Sequence, residues 1–215
     1  VEATSGNSGI ALAMVVPIKG YSLIVVMPEG MPSERKRLLT HFGAELHMSA
    51  PLEGMSGAIR AAERLVQDNP TYISMDQFNN PANPRAHRET TAQEILRDTG
   101  GNVDAFVAGV GTGGTISGVG KRLKEADPAI KVVLVNFDEW PGVEGLKPLG
   151  SGHIVPDTFD ESIVDRVIRV DVDDGYKMSM LMSSKGIFAG QSSGVYLCGA
   201  YRLAKESGQG RIVTI

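Results

Sequence analysis

Apolar runs of strand length alternate with stretches of helix length along nearly the whole sequence, and glycine-rich loops join many of them. Residues 21–27 (YSLIVVM) form a continuous apolar run, as a strand buried on both faces requires. Residues 33–42 read as a helix, with Ser33 as N-cap and Gly43 as C-cap. The pattern then predicts a strand over 44–48, a helix over 58–66 and a short strand over 72–75. After a Pro/Asn-rich turn at 79–84 it predicts one helix over 86–97 closed by Gly100, a strand over 103–108, a helix over 115–126 and a strand over 131–137. A strand over 164–172, helices over 175–184 and 193–205, and an apparent strand over 211–215 complete the series. Strands joined through helices imply right-handed crossovers and mainly parallel sheets, an α/β fold. Such sheets bind ligands beyond the carboxyl ends of their strands.

Composition narrows the function classes. The 215 residues carry a net charge of −4, which argues against nucleic acid as the main partner, since phosphate backbones are bound by basic faces. The one cysteine, Cys198, allows no internal disulfide and fits a reducing, cytoplasmic location. No apolar run reaches the roughly 18 residues of a membrane span. There are 26 glycines, where an average chain of this length has about 15, so tight turns or close ligand approaches are expected. The chain begins at Val1 in front of a glycine-rich loop and stops at Ile215 inside an apparent strand, which reads as a piece of a larger protein.

Three loops can carry chemistry. Thr4-Ser5-Gly6-Asn7-Ser8-Gly9 leads into the apolar helix 10–18. Its hydroxyls, its amide and the free N–H groups of a helix start make a neutral cradle suited to a carboxylate. A plain helix cap needs only one of these polar residues. Gly109-Val110-Gly111-Thr112-Gly113-Gly114-Thr115 lies between a strand and a helix, the geometry for a phosphate at a helix N-terminus. It is not a Walker A loop, because no Gly-Lys-Ser/Thr follows. Gly109, Gly111 and Gly114 do match GxGxxG, with Asp138 and Glu139 beyond the next strand, so a nucleotide-binding module remains open from this loop alone. Gly190-Gln191-Ser192-Ser193-Gly194 precedes another helix and reads, by itself, as a cap.

Other polar residues carry less. His41, His47, His87 and His153 lack metal-ligand spacing, so no metal site is expected. Asp171, Asp173 and Asp174 read as a helix start, Met178, Met180 and Met182 as packing, and Arg35, Lys36 and Arg37 as a solvated helix face. Trp140 lines a cleft or packs, and Cys198 falls in a helix that reads as buried. No Ser-His-Asp or Cys-His assembly is evident.

TSGNSG, DQFNNPANP, GVGTGGT and GQSSG, in this order, resemble the cysteine synthases (O-acetylserine sulfhydrylases). These are fold-type II enzymes dependent on pyridoxal 5′-phosphate (PLP). EATSGNSGIALAM, GYSLIVVMP, FGAEL and GIFAGQSSG are more similar to the B type than to the A type, and the resemblance runs along nearly the whole chain. It implies a two-lobed fold, tryptophan synthase β-like, with helices on both faces of mainly parallel sheets. Residues 1–81 would be a small lobe carrying the substrate loop, and residues 82–215 a larger lobe binding the PLP phosphate. It also implies a homodimer acting on small molecules: an activated serine and sulfide.

The resemblance assigns roles by position. Thr4, Ser5, Asn7, Ser8 and Gln77 match residues that hold the amino-acid carboxylate, and Asn7 also matches the contact to the cofactor's ring hydroxyl. Gly111, Thr112, Gly113, Gly114 and Thr115 match the phosphate loop, and Ser192 the residue at the pyridine nitrogen. A serine there cannot protonate the ring as an aspartic acid could, which weakens the electron sink and disfavours transamination. Docking of the substrate carboxylate on the TSGNSG loop would close the cleft and exclude water.

Departures matter as well. The family's Schiff-base lysine lies upstream of TSGNSG, before Val1, and none of the lysines present takes its place. The chain as it stands is therefore expected to be inactive alone and its parent active. Ser8 stands where threonine is usual, and 147–153 replaces a segment that often tunes substrate choice, which leaves the acyl donor open. Other β-synthases or lyases of the same fold, cystathionine β-synthase-like or threonine dehydratase-like, are the alternatives, with a non-catalytic relative as a further one.

Overall fold

The computed structural model describes residues 1–4, 6–138, 142–143, 145–150, 155–208 and 210–215. The chain divides into two compact units, Val1–Gln77 and Phe78–Ile215. In the first, β1 (Glu2–Ala3), β2 (Ile24–Pro28) and β3 (Glu45–Ser49) form a parallel sheet in that order, with Ile24 opposite Glu45 and Pro28 opposite Ser49. Three helices cover it: α1 (Asn7–Val15), α2 (Ser33–His41) and α3 (Gly54–Asp68). Successive β2 side chains point to opposite faces. Val25 and Met27 pack with Ala13 of α1 and Leu39 of α2, while Val26 packs with Ala58 and Ala62 of α3. Full burial of each such side chain contributes about 1.5–3 kcal/mol, so a polar residue in β2 would be costly on either face.

The second unit holds α4 (Ala82–Glu89), α5 (Thr91–Thr99), β4 (Ala105–Ala108), α6 (Gly114–Ala126), β5 (Lys131–Asn136), β6 (Arg166–Arg169), α7 (Val172–Ser184), α8 (Gln191–Ser207) and β7 (Ile212–Thr214). Its sheet is parallel, in the order β6-β5-β4-β7. Phe106, Val132 and Leu134 face Ile116, Val119 and Leu123 of α6 and Ala92 of α5. Val107, Val133 and Val135 face Val195 and Cys198 of α8. Both units are thus α/β layers with helices on both faces. Thr4 and the loop 109–113 follow the carboxyl ends of β1 and β4, where ligands of parallel sheets bind.

Several local expectations shift. Pro32, not Ser33, takes the cap position of α2, because its extended backbone (ψ 138°) turns directly into the helix. Residues 72–75 form no strand, although the Met75 N–H donates to Val1 O at 3.2 Å; Asp76 then adopts a left-handed φ of 49° that ends extended pairing. The helix expected over 86–97 is two helices. They break at Thr90 (φ −118°, ψ −76°), whose hydroxyl donates to Ala86 O at 2.7 Å. β6 is shorter than 164–172, because Asp171 already caps α7 by accepting the Asp173 N–H at 2.8 Å. Among the three methionines, Met178 packs on the core, whereas Met180 is exposed. Lys36 is half-buried and donates to Glu29 O, so the basic run of α2 is not wholly solvated.

Candidate functional site

Glycine occupies the N-cap of α1 (Gly6), α6 (Gly113) and α8 (Gly190), the three helices that follow the motif loops, and no side chain caps them. Gly190 of GQSSG thus caps α8 by its backbone and leaves Ser192 and Ser193 out of the cap, whereas at α6 the Thr112 hydroxyl oxygen accepts the Gly114 N–H at 3.5 Å.

In the first unit the structure joins Thr4, Ser8 and Gln77 to one backbone turn. Thr4 is buried; its N–H extends the sheet to Val26 O at 3.0 Å, and its hydroxyl oxygen accepts the Gly6 N–H at 3.2 Å. The Ser8 hydroxyl donates to Gln77 Oε1 at 2.7 Å, and Gln77 Nε2 donates to Ala3 O at 3.1 Å. Asn7 is exposed at the first turn of α1, and its amide has no protein partner among the described residues. Gly9 N–H returns to Gly6 O at 3.1 Å, so the Asn7 and Ser8 N–H groups precede the helical ladder. Ser5 lies outside the described residues, as do Glu139, Trp140 and His153. Beneath the turn lies Glu2, 2% exposed, whose Oε1 accepts the Gln77 N–H at 3.3 Å. Burial pushes its carboxyl above the usual carboxylate range, opposed by hydrogen bonds from the Gln77 and Asp76 backbones.

In the second unit, Gly111–Thr115 form one turn at the start of α6. Gly113 is left-handed (φ 85°), and a Cβ there would lie 2.5 Å from Phe159 Cβ. A Cβ on Gly111 would meet Gly145 O, and one on Gly114 the Asn83 amide. The glycines thus allow the loop to pack against protein on its Cβ side, rather than only sparing room for a ligand. The N–H groups of Gly111, Thr112, Gly113 and Thr115 meet no acceptor among the described residues. The Thr112 hydroxyl oxygen accepts from Asn83 Nδ2 at 2.9 Å, which leaves its proton to donate. Thr112 O is pinned by the Thr158 hydroxyl at 2.5 Å. The Thr115 hydroxyl stands against His87, whose imidazole is held below its usual pKa by burial. Ser192, in the first turn of α8, is half-buried, and its hydroxyl has no protein partner among the described residues. Tyr196, one turn further on, packs against Gly109. Burial pushes its phenol up to about 12, opposed by a backbone hydrogen bond from Gly109.

Four N–H groups, two threonine hydroxyls and a helix dipole fit a phosphate dianion, and an uncommitted serine hydroxyl fits a pyridine nitrogen. The residues present therefore fit PLP. Asn83, His87, Thr158, Tyr196 and Glu2 support these loops and escaped motif reasoning. Asn83 lies inside DQFNNPANP and Glu2 inside EATSGNSGIALAM, yet neither carried a role there; the others become neighbours through the fold.

A family model described as pyridoxal-phosphate dependent enzyme matches residues 1–215. The chain is 46% identical to the cysteine synthase of Aquifex aeolicus, over 100% of this chain and 68% of that protein. It is 44% identical to the cysteine synthase of Haemophilus influenzae, over 95% of this chain and 70% of that protein. Among solved structures it is similar to a cysteine synthase of Entamoeba histolytica (TM-score 0.90, 36% identity, 100% of this chain and 66% of that one). It is also similar to an O-ureido-L-serine synthase (TM-score 0.91, 36% identity, 99% of this chain and 70% of that one). The chain thus spans about two thirds of the length of these relatives.

Proposed function

The chain belongs to the pyridoxal-phosphate dependent enzymes, and from that premise we propose that its full-length protein is a cysteine synthase. The reaction is β-replacement. The acyloxy group of an activated serine such as O-acetylserine leaves Cβ, and sulfide forms the new Cβ–S bond of L-cysteine. The observation that carries the reading is the pair of helix starts, on α1 and α6, where the Asn7 amide and the N–H groups of Gly111, Thr112, Gly113 and Thr115 meet no acceptor among the described residues, in a chain 46% identical to the cysteine synthase of Aquifex aeolicus.

PLP supplies an electron sink to the substrate Cα. The unit Phe78–Ile215 holds its phosphate through the N–H groups of Gly111, Thr112, Gly113 and Thr115 and the two threonine hydroxyls, with Gly114 closing the turn. Ser192 offers a neutral hydroxyl to the pyridine nitrogen, which limits charge build-up and suits loss of a good leaving group over transamination. In the unit Val1–Gln77, Thr4, Ser5, Asn7, Ser8 and Gln77 would bind the substrate carboxylate, and Asn7 matches by position the family's contact to the ring hydroxyl. Neutral donors orient a carboxylate without creating a buried ion pair. The lysine that anchors the cofactor and moves the Cα proton belongs, by the family's pattern, to the segment before Val1. A homodimer and a cytoplasmic location complete the proposal; no helix among the described residues is long and apolar enough to cross a membrane.

Asn7→Ala tests the reading in the full-length protein. PLP is expected to stay bound, with its affinity lowered by no more than the one bond to the ring hydroxyl, while the rate with O-acetylserine falls about ten-fold through loss of an orienting hydrogen bond. Unchanged rates would reduce the loop to a helix start.

A further inference from the structure

Glu2 is a carboxylate sealed under the substrate loop with no cationic side chain bonded to it among the described residues. Its partners are two consecutive backbone N–H groups, those of Asp76 and Gln77. Asp76 is the only non-glycine residue of positive φ (49°) among the described residues. An L-residue is strained there, and a left-handed residue beside an ordinary one turns successive N–H groups to one side, forming an anion-binding nest. Here the anion is supplied by the protein itself. Directly beyond the nest, the Gln77 side chain bridges Ala3 O and the Ser8 hydroxyl, at 3.1 and 2.7 Å. Glu2 and Gln77 are 75 residues apart in sequence; the two segments are also joined by the Met75 N–H to Val1 O and by Gln77 Nε2 to Ala3 O, but the carboxylate is the group that meets the backbone of the left-handed turn itself.

We propose that Glu2 is a positioning residue for substrate binding: its carboxylate holds the left-handed turn at Asp76, and that turn sets the Gln77 amide between Ala3 and Ser8. The proposal rests on the reading of Gln77 and its loop as the carboxylate site. Glu2 touches no substrate and moves no proton in it. Glutamine at position 2 keeps the side-chain shape but replaces one acceptor oxygen by a donor, which opposes the paired N–H groups. Glycine at position 76 removes the strain that the carboxylate holds.

The test uses the full-length PLP-loaded protein with Glu2→Gln, Asp76→Gly, both together, and Asn7→Ala as the control for the loop. KM for O-acetylserine, kcat, PLP affinity by absorbance titration, and the calorimetric Kd of L-serine, which lacks a good leaving group, are measured. Glu2→Gln is expected to raise KM and the L-serine Kd about ten-fold, with kcat and PLP affinity within about two-fold. The double variant is expected to recover most of that loss, since glycine adopts the turn unaided; a residue that merely filled the core would not be rescued. An unchanged KM in Glu2→Gln, or a double variant as impaired as the single one, overturns the proposal while a raised KM in Asn7→Ala keeps the loop's role intact. If Asn7→Ala also leaves KM and Kd unchanged, the loop reading falls and the proposal falls with it.

Discussion

The Nε2 of His87 stands 3.2 Å from the Thr115 hydroxyl oxygen, and its Nδ1 stands 3.1 Å from that of Thr91. Thr115 has one proton to give. With the imidazole proton on Nε2, His87 donates to Thr115 and accepts from Thr91, and the Thr115 proton is left for an anion at the α6 start. His87→Leu removes that arrangement. PLP affinity of the full-length protein should fall about three- to ten-fold, the worth of one hydrogen bond, and absorbance titration reads it. An unchanged affinity would separate Thr115 from the phosphate.

The same histidine sets a pH dependence. Burial lowers its pKa in the folded state, so below the ordinary histidine range near 6.5 the unfolded chain binds the extra proton first. Its contribution is complete above that range and is lost as pH falls through the lowered folded pKa. Urea midpoints measured between pH 8 and 5 should decline more steeply for the parent than for His87→Gln; parallel curves would place His87 in solvent.

Gly113 combines a φ of 85° with the nearby Phe159 backbone, whose Cα would lie 2.8 Å from an added Cβ. Gly113→Ala should cost about 1–3 kcal/mol through strain and overpacking. Gly113→Val should weaken PLP binding further, because the loop cannot keep its N–H groups in place. Thermal melting with and without PLP separates the two effects, and a valine variant that binds PLP normally would remove this turn from the site.

Ser192→Asp should place a carboxylate at the pyridine nitrogen and favour a protonated ring. Turnover with O-acetylserine and sulfide should slow, with a visible spectrum unlike the parent's. Ser192→Ala should be milder, losing about 0.5–1.5 kcal/mol. Parental rate and spectrum in the aspartate variant would move Ser192 away from the nitrogen.

Element type and order were legible in the sequence wherever a local rule suffices. The apolar run of β2, the glycine-threonine loop before α6 and the Asp171 cap need only neighbours a few residues away. Four ordered motifs also carried the family. The break at Thr90 was not legible, since nothing in the helical spacing of 86–97 shows that one hydroxyl will bond back to Ala86 O. What only the tertiary structure decided is which distant groups meet: Glu2 with Gln77, His87 with Thr115, Thr158 with Thr112. Parallel sheets place consecutive strands side by side only after a crossover, so within each unit segments far apart in sequence become neighbours. Hydrogen bonds there join residues 28 to 75 positions apart, and a one-dimensional pattern holds no distance between them.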